Sequence, residues 1–234
     1  MTAQKIRARL QKLCDKRRAA ASQRYFKTGP GEYGEGDIFL GITVPELRKL
    51  VTEYQDLALA ETIQLLQSAI HEERLLALLL LVRAYAKADA RTKKHIYDLY
   101  LENTRYINNW DLVDASAEHI VGAFLIGKHK KPLHDLAKSH DLWERRIAIM
   151  ATFHFIKHDK FVETLTIARE LLSDEEDLIH KAVGWMLREV GKRHIQSEEQ
   201  FLKEHYKKMP RTMLRYAIER FPESKRLRYL KGKV

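Results

Sequence analysis

Glu73-Arg74-Leu75-Leu76-Ala77 returns 71 positions later as Glu144-Arg145-Arg146-Ile147-Ala148, an echo that sets the register of the whole chain. Around it, small residues stand amid apolar neighbours at Ala77, Ala115, Ala148, Gly184 and Ala217, separated by 38, 33, 36 and 33 positions. Nearly every segment repeats apolar residues at three- and four-residue intervals, as in Phe161, Leu165, Ala168 and Leu171, and no alternating strand stands out. Ile38-Phe39-Leu40 is expected in a loop. Helix starts are expected at Thr43 with Glu46 three positions on, at Pro132, at Ser197 with Glu198 and Glu199, and at Pro210. A small residue at one level of successive second helices lets them stack closely, so the expectation is an all-α chain of HEAT-like or armadillo-like repeats. Such repeats curve into a solenoid with a concave groove.

With 234 residues the expectation is one helical-repeat domain, 1–234. It divides into N-terminal helices and a glycine-rich loop (1–54), stacked helix pairs (55–221) and a basic tail (222–234). Lys and Arg number 42 against 32 Asp and Glu, a net charge of +10 that draws the protein to polyanions, nucleic acid first. The single Cys14 allows no internal disulfide and no thiolate metal site, which fits a reducing compartment. With no apolar run after Met1-Thr2-Ala3-Gln4-Lys5 no secretory signal is expected, and the most apolar run, Leu75 to Val82, is too short to span a bilayer.

On a helical wheel with each small residue at zero, Trp110 falls at about 220°, Asp114 at about 260°, Arg146 at about 160° and Trp185 at about 100°. All four point away from the packed line and are expected on one wall. The alternative for each is ordinary packing, since tryptophan is usually core and Asp114 can accept a bond from a neighbouring helix. Trp110 and Asp114 are an i, i+4 pair, which sets an aromatic face beside an anion, a seat suited to a cation. Alkylation at a purine ring nitrogen creates such a cation and weakens the bond to the sugar. A carboxylate can steady the electron-poor sugar left behind, and a guanidinium such as Arg146 suits the adjoining phosphate. Arg211 and Arg215, also i, i+4, fit either further backbone contacts or a solvated face.

The string Asn108-Asn109-Trp110-Asp111-Leu112-Val113-Asp114, followed by Trp143-Glu144-Arg145-Arg146 and Lys181-Ala182-Val183-Gly184-Trp185, resembles the AlkD-type DNA alkylation repair glycosylases. The resemblance implies HEAT-like repeats, no cofactor, and removal of cationic lesions such as 3-methyladenine and 7-methylguanine from double-stranded DNA. It implies Asp114 as the essential carboxylate, Trp110 and Trp185 against the lesioned nucleotide, and Arg146 at the backbone; Lys181, Arg211 and Arg215 are expected, apart from the resemblance, as further backbone contacts. A cytoplasmic monomer, associated with the nucleoid through DNA and with no obligate protein partner, is the accompanying expectation.

Other signals lead elsewhere or nowhere. Gly29, Gly31, Gly34 and Gly36 satisfy G-x-G-x-x-G literally, but they follow a basic helix rather than a strand, which excludes a dinucleotide fingerprint. His154 and His158 have a metal-ligand spacing without a third ligand, so no metal is expected. Tyr25 and Phe26 fit either helix packing or contact with DNA. The linker Lys128-His129-Lys130-Lys131 fits either phosphate contact or a solvated loop. Two rival functions remain open, a non-catalytic DNA-binding repeat protein and a helical scaffold for acidic proteins.

Overall fold

The computed structural model describes residues 1–234, built from helices with one isolated β-bridge, Ile38 to Ile70. Two compact units divide it, Met1–Ile120 and Val121–Val234. In the first unit α1 (Ala3–Gln11) and α2 (Lys16–Tyr25) precede the glycine-rich loop. After the loop come α3 (Val44–Glu53), α4 (Leu59–Leu66), α5 (His71–Lys87), α6 (Ala90–Glu102) and the single turn of α7 (Trp110–Asp114). α5 is the hub, with α3, α4, α6 and α7 packed on it and Leu76, Leu78 and Leu81 fully buried. Thr43 and Glu46 form the expected capping box of α3.

The second unit begins inside a π-helical turn, Glu118–Gly122. It continues through α8 (Ala123–Leu125), α9 (Lys131–Ala137), α10 (Leu142–Ala151), α11 (Phe153–Ile156) and α12 (Val162–Glu170). Then come α13 (Asp177–Gly191), α14 (Ile195–His205), α15 (Arg211–Ala217) and α16 (Glu223–Leu230). Pro132 and Pro210 stand at helix starts as expected. α14 starts two residues before Ser197, because the His194 ring accepts from the Ser197 amide and takes the capping role. Residues 222–234, expected as a basic tail, carry α16, whose Tyr229 is buried and whose Lys225 pairs with Glu199.

The repeat register has a hydrogen-bonded basis. Ser68 Oγ accepts from the amide two residues on, at 3.0 Å, and its carbonyl accepts from Arg74 six residues on, also at 3.0 Å. Ser139 does the same with Asp141, at 3.0 Å, and Arg145, at 3.1 Å. In the next repeat Asp174 replaces the serine, accepting from the Glu176 amide at 2.9 Å, with His180 on its carbonyl at 2.5 Å. α5, α10 and α13 each begin three residues after this anchor. One helix-entry device thus recurs three times, and the Glu-Arg echo is part of it.

Ala77, Ala148 and Ala217 are fully buried, and at Gly184 an added Cβ would lie 2.4 Å from the Met213 carbonyl oxygen. Ala115 departs from the line. It is half-exposed and caps α7, while Leu112, Val113, Ser116 and Ala117 carry the burial. The physical reason is the short α7 and the π turn after it, which break the 100° wheel on which the phasing rests. The close approach falls instead at Gly122, where a Cβ would lie 2.1 Å from the Ala151 carbonyl oxygen.

Candidate functional site

Each residue of the Asn108–Asp114 string has a visible reason for its place. Asn109 caps α7, its Oδ1 accepting from the Trp110 amide at 2.9 Å while its Nδ2 donates to Asp37 at 3.3 Å. Leu112 and Val113 enter the core. Trp110 and Asp114 lie on the face between core and solvent, both half-exposed. Asp114 is also near enough to the buried Tyr100 for its charge to add to burial in raising that phenol's pKa.

Trp110 is held by rings from the N-terminal helices. Phe26 stacks on it with centroids 5.2 Å apart, and Tyr25 meets it edge-on at 6.0 Å. Phe26 also stacks on Phe39 of the glycine-rich loop at 5.0 Å, and Phe39 on His71 at 4.4 Å. Phe26 is therefore a packing residue under Trp110. Tyr25 stays 66% exposed at the shelf's edge.

The glycine-rich loop brings Asp37 into this layer. Gly34 makes that possible, since a Cβ there would lie 2.4 Å from the Phe26 carbonyl oxygen. Asp37 is buried, with Arg74 on one oxygen at 2.6 Å and His71 Nδ1 on the other at 3.0 Å. The far nitrogen of His71, Nε2, reaches Asp111 of α7 at 2.8 Å. Burial works against ionising Asp37, but the His71 hydrogen bond and the Arg74 charge outweigh it and hold the carboxyl below its ordinary value. Burial likewise opposes charging His71. Its hydrogen bonds to Asp111 and Asp37 win, and raise the imidazole above its ordinary value.

Next along α5, the Glu72 carboxylate accepts the amides of Leu40 (2.9 Å), Gly41 (2.7 Å) and Ile42 (3.2 Å), which anchors the loop's far end. Asp37, His71, Glu72 and Asp111 escaped the sequence reading. For His71 and Glu72 the visible signal is His71-Glu72-Glu73-Arg74, four polar residues directly before the apolar run of α5, while Asp111 stands without an assigned role inside the Asn108–Asp114 string.

In the second unit Trp185 is half-exposed, its indole donating to Glu189 at 3.3 Å with Phe153 tilted against it at 6.1 Å. Lys192 and Arg193 hold Glu189 in turn. Arg146 is 5% exposed and donates to the Leu178 carbonyl at 2.6 Å. Its wheel position opposite Ala148 does not leave it on a free face, because α9, α12 and α13 enclose α10. Lys181 pairs with Asp177 at 2.7 Å, and Arg211 donates to the Leu230 carbonyl at 2.7 Å, while Arg215 is exposed. His158 donates to the His154 carbonyl, and no group of three or more His, Cys, Asp or Glu is arranged to hold a metal ion. No helix is long and apolar enough to cross a membrane.

Comparison with solved structures finds the same fold. A structure described as a predicted DNA alkylation repair enzyme from Enterococcus faecalis superposes with a TM-score of 0.68 at 19% identity, over 90% of this chain and 97% of that one. AlkD2 from Streptococcus mutans gives 0.55 at 18% identity, over 89% and 99%. The smu.31 protein of Streptococcus mutans UA159 gives 0.54 at 19%, over 95% and 100%. No curated protein matches the sequence significantly. At such identities the structures speak for the fold. Membership rests on the sequence pattern, which residues 6–221 share with the DNA alkylation repair enzymes, and the chain belongs to that family.

Proposed function

We propose that this enzyme is a DNA glycosylase of base excision repair that hydrolyses the N-glycosidic bond of positively charged alkylated purines, of the 3-methyladenine and 7-methylguanine type, in duplex DNA. The observation that carries this reading is the Trp110–Asp114 pair, an indole and a carboxylate one helical turn apart, both partly open to solvent on a chain of charge +10. An indole face attracts a cationic base by roughly 0.5 to 2 kcal/mol, according to how dry the contact is. When the bond breaks, its electron pair goes to the purine nitrogen and neutralises the base, and the positive charge passes to the sugar. Asp114 stabilises that sugar cation and orients a water, whose oxygen bonds to C1′ as its proton is released. The products are a free base and an abasic site. Trp185 contributes a second aromatic face to the lesioned nucleotide. Lys181, Arg211 and Arg215 supply backbone contacts, and Arg146, buried against the Leu178 carbonyl, acts on the backbone only through the α10–α13 packing it holds.

Release of 7-methylguanine from methylated duplex tests the reading. Asp114→Asn should slow release by about 100-fold or more, the scale of losing a preorganised electrostatic group. Equal release by both proteins removes Asp114 from the chemistry. If neither releases base yet both bind duplex with steep salt dependence, the protein is a binding module instead.

A further inference from the structure

His71 is placed as a clamp between two parts of the chain that meet only in space. Its Nδ1 holds Asp37 of the glycine-rich loop, and its Nε2 holds Asp111, on the same turn of helix as Trp110 and Asp114. The ring is 2% exposed and lies against Phe39 at 4.4 Å and Phe26 at 5.1 Å, and Phe26 carries Trp110. The charged groups facing it are Asp37 from the loop, Asp111 from α7 and Arg74 from its own helix. Two carboxylates, one on each ring nitrogen, need both nitrogens to donate, and only the imidazolium does so. Arg74 and Asn109 also bond Asp37, so the loop side of the clamp stays in place without His71. On the α7 side, the His71 bond is what ties Asp111 to that layer.

We propose that His71 is a positioning residue which, as an imidazolium, locks α7 to the N-terminal aromatic shelf and so sets the orientation of Trp110 and Asp114. This rests on the glycosylase reading for its catalytic consequence, and on geometry alone for its structural one. His71→Gln keeps one donor and loses the second, freeing Asp111 from the layer while Asn109 still holds the start of α7 to Asp37, so that α7 can shift its orientation without opening the core.

The indole N–H resonances of Trp110, Trp143 and Trp185, with Trp110 assigned from Trp110→Phe, report the shelf directly. In His71→Gln the Trp110 resonance should move while the other two stay. Single-turnover excision should fall about 10- to 100-fold, the scale of a small misplacement, with affinity for duplex unchanged. In the wild type the Trp110 resonance should shift with the same midpoint as the His71 ring. Asp111→Ala, which removes the acceptor on the α7 side alone, repeats the test should His71→Gln fail to fold. Wild-type excision in either variant, or a slower rate with an unmoved Trp110 resonance, overturns the proposal. If the wild type itself excises nothing, the glycosylase reading fails separately, and the Trp110 resonance still decides whether His71 holds that ring.

Discussion

Glu198 of α14 is 2% exposed, its Oε1 has no hydrogen-bond partner, and its other oxygen lies over the bare Cα of Gly191. Burial, with the neighbouring Glu199 charge adding to it, pushes its carboxyl up from 4.5 to about 8, against the opposing pull of Lys225 and Arg188. The folded state therefore keeps a proton that the unfolded chain gives up near 4.5, so stability declines as pH rises from about 4.5 to about 8. Glu198→Gln cannot ionise. It should flatten that slope and raise stability at pH 8 by about 1 to 3 kcal/mol, measured by denaturant unfolding at several pH values. In the sequence, Ser197-Glu198-Glu199 reads as a helix start. That a carboxyl there is buried comes from the packing of Gly191, which no local pattern announces.

At the scale of helices, Gly184 shows two effects in competition. Alanine is the better helix former by about 1 kcal/mol, so propensity alone favours Gly184→Ala in the long α13. Against it, the new methyl would sit 2.4 Å from the Met213 carbonyl oxygen and 2.5 Å from Tyr216 Cβ, and backbone cannot swing aside as a long side chain can. Overpacking of this kind costs about 1 to 3 kcal/mol or more, so it should win, and thermal unfolding of Gly184→Ala should show a net loss of stability. The line of small residues is legible because close stacking demands it once per repeat. It failed at Ala115 because a π turn interrupts the helix there, and the sequence of such a turn looks like any other helical stretch.

For the molecule as a whole, a charge of +10 that is dispersed along the chain apart from the short basic end predicts broad electrostatic contact with DNA. Binding of undamaged duplex should weaken by about 10³-fold or more between 50 and 200 mM salt if six or more phosphates are engaged. A titration by fluorescence anisotropy that finds nearly flat affinity would remove DNA backbone contact as the source of binding. Helical class, repeat period and three of the four expected helix starts were legible in the sequence alone, because they arise from contacts three or four residues apart that repeat along the chain. The pairing of Trp110 with Asp114 was legible for the same reason. The shelf beneath Trp110, the burial of Arg146 and the clamp at His71 were decided only in three dimensions. His71 meets Asp37 across 34 residues and Asp111 across 40, and Asn109 reaches Asp37 across 72. Bonds over such distances leave no period in the sequence, since each is made once, where separate segments happen to close on one another.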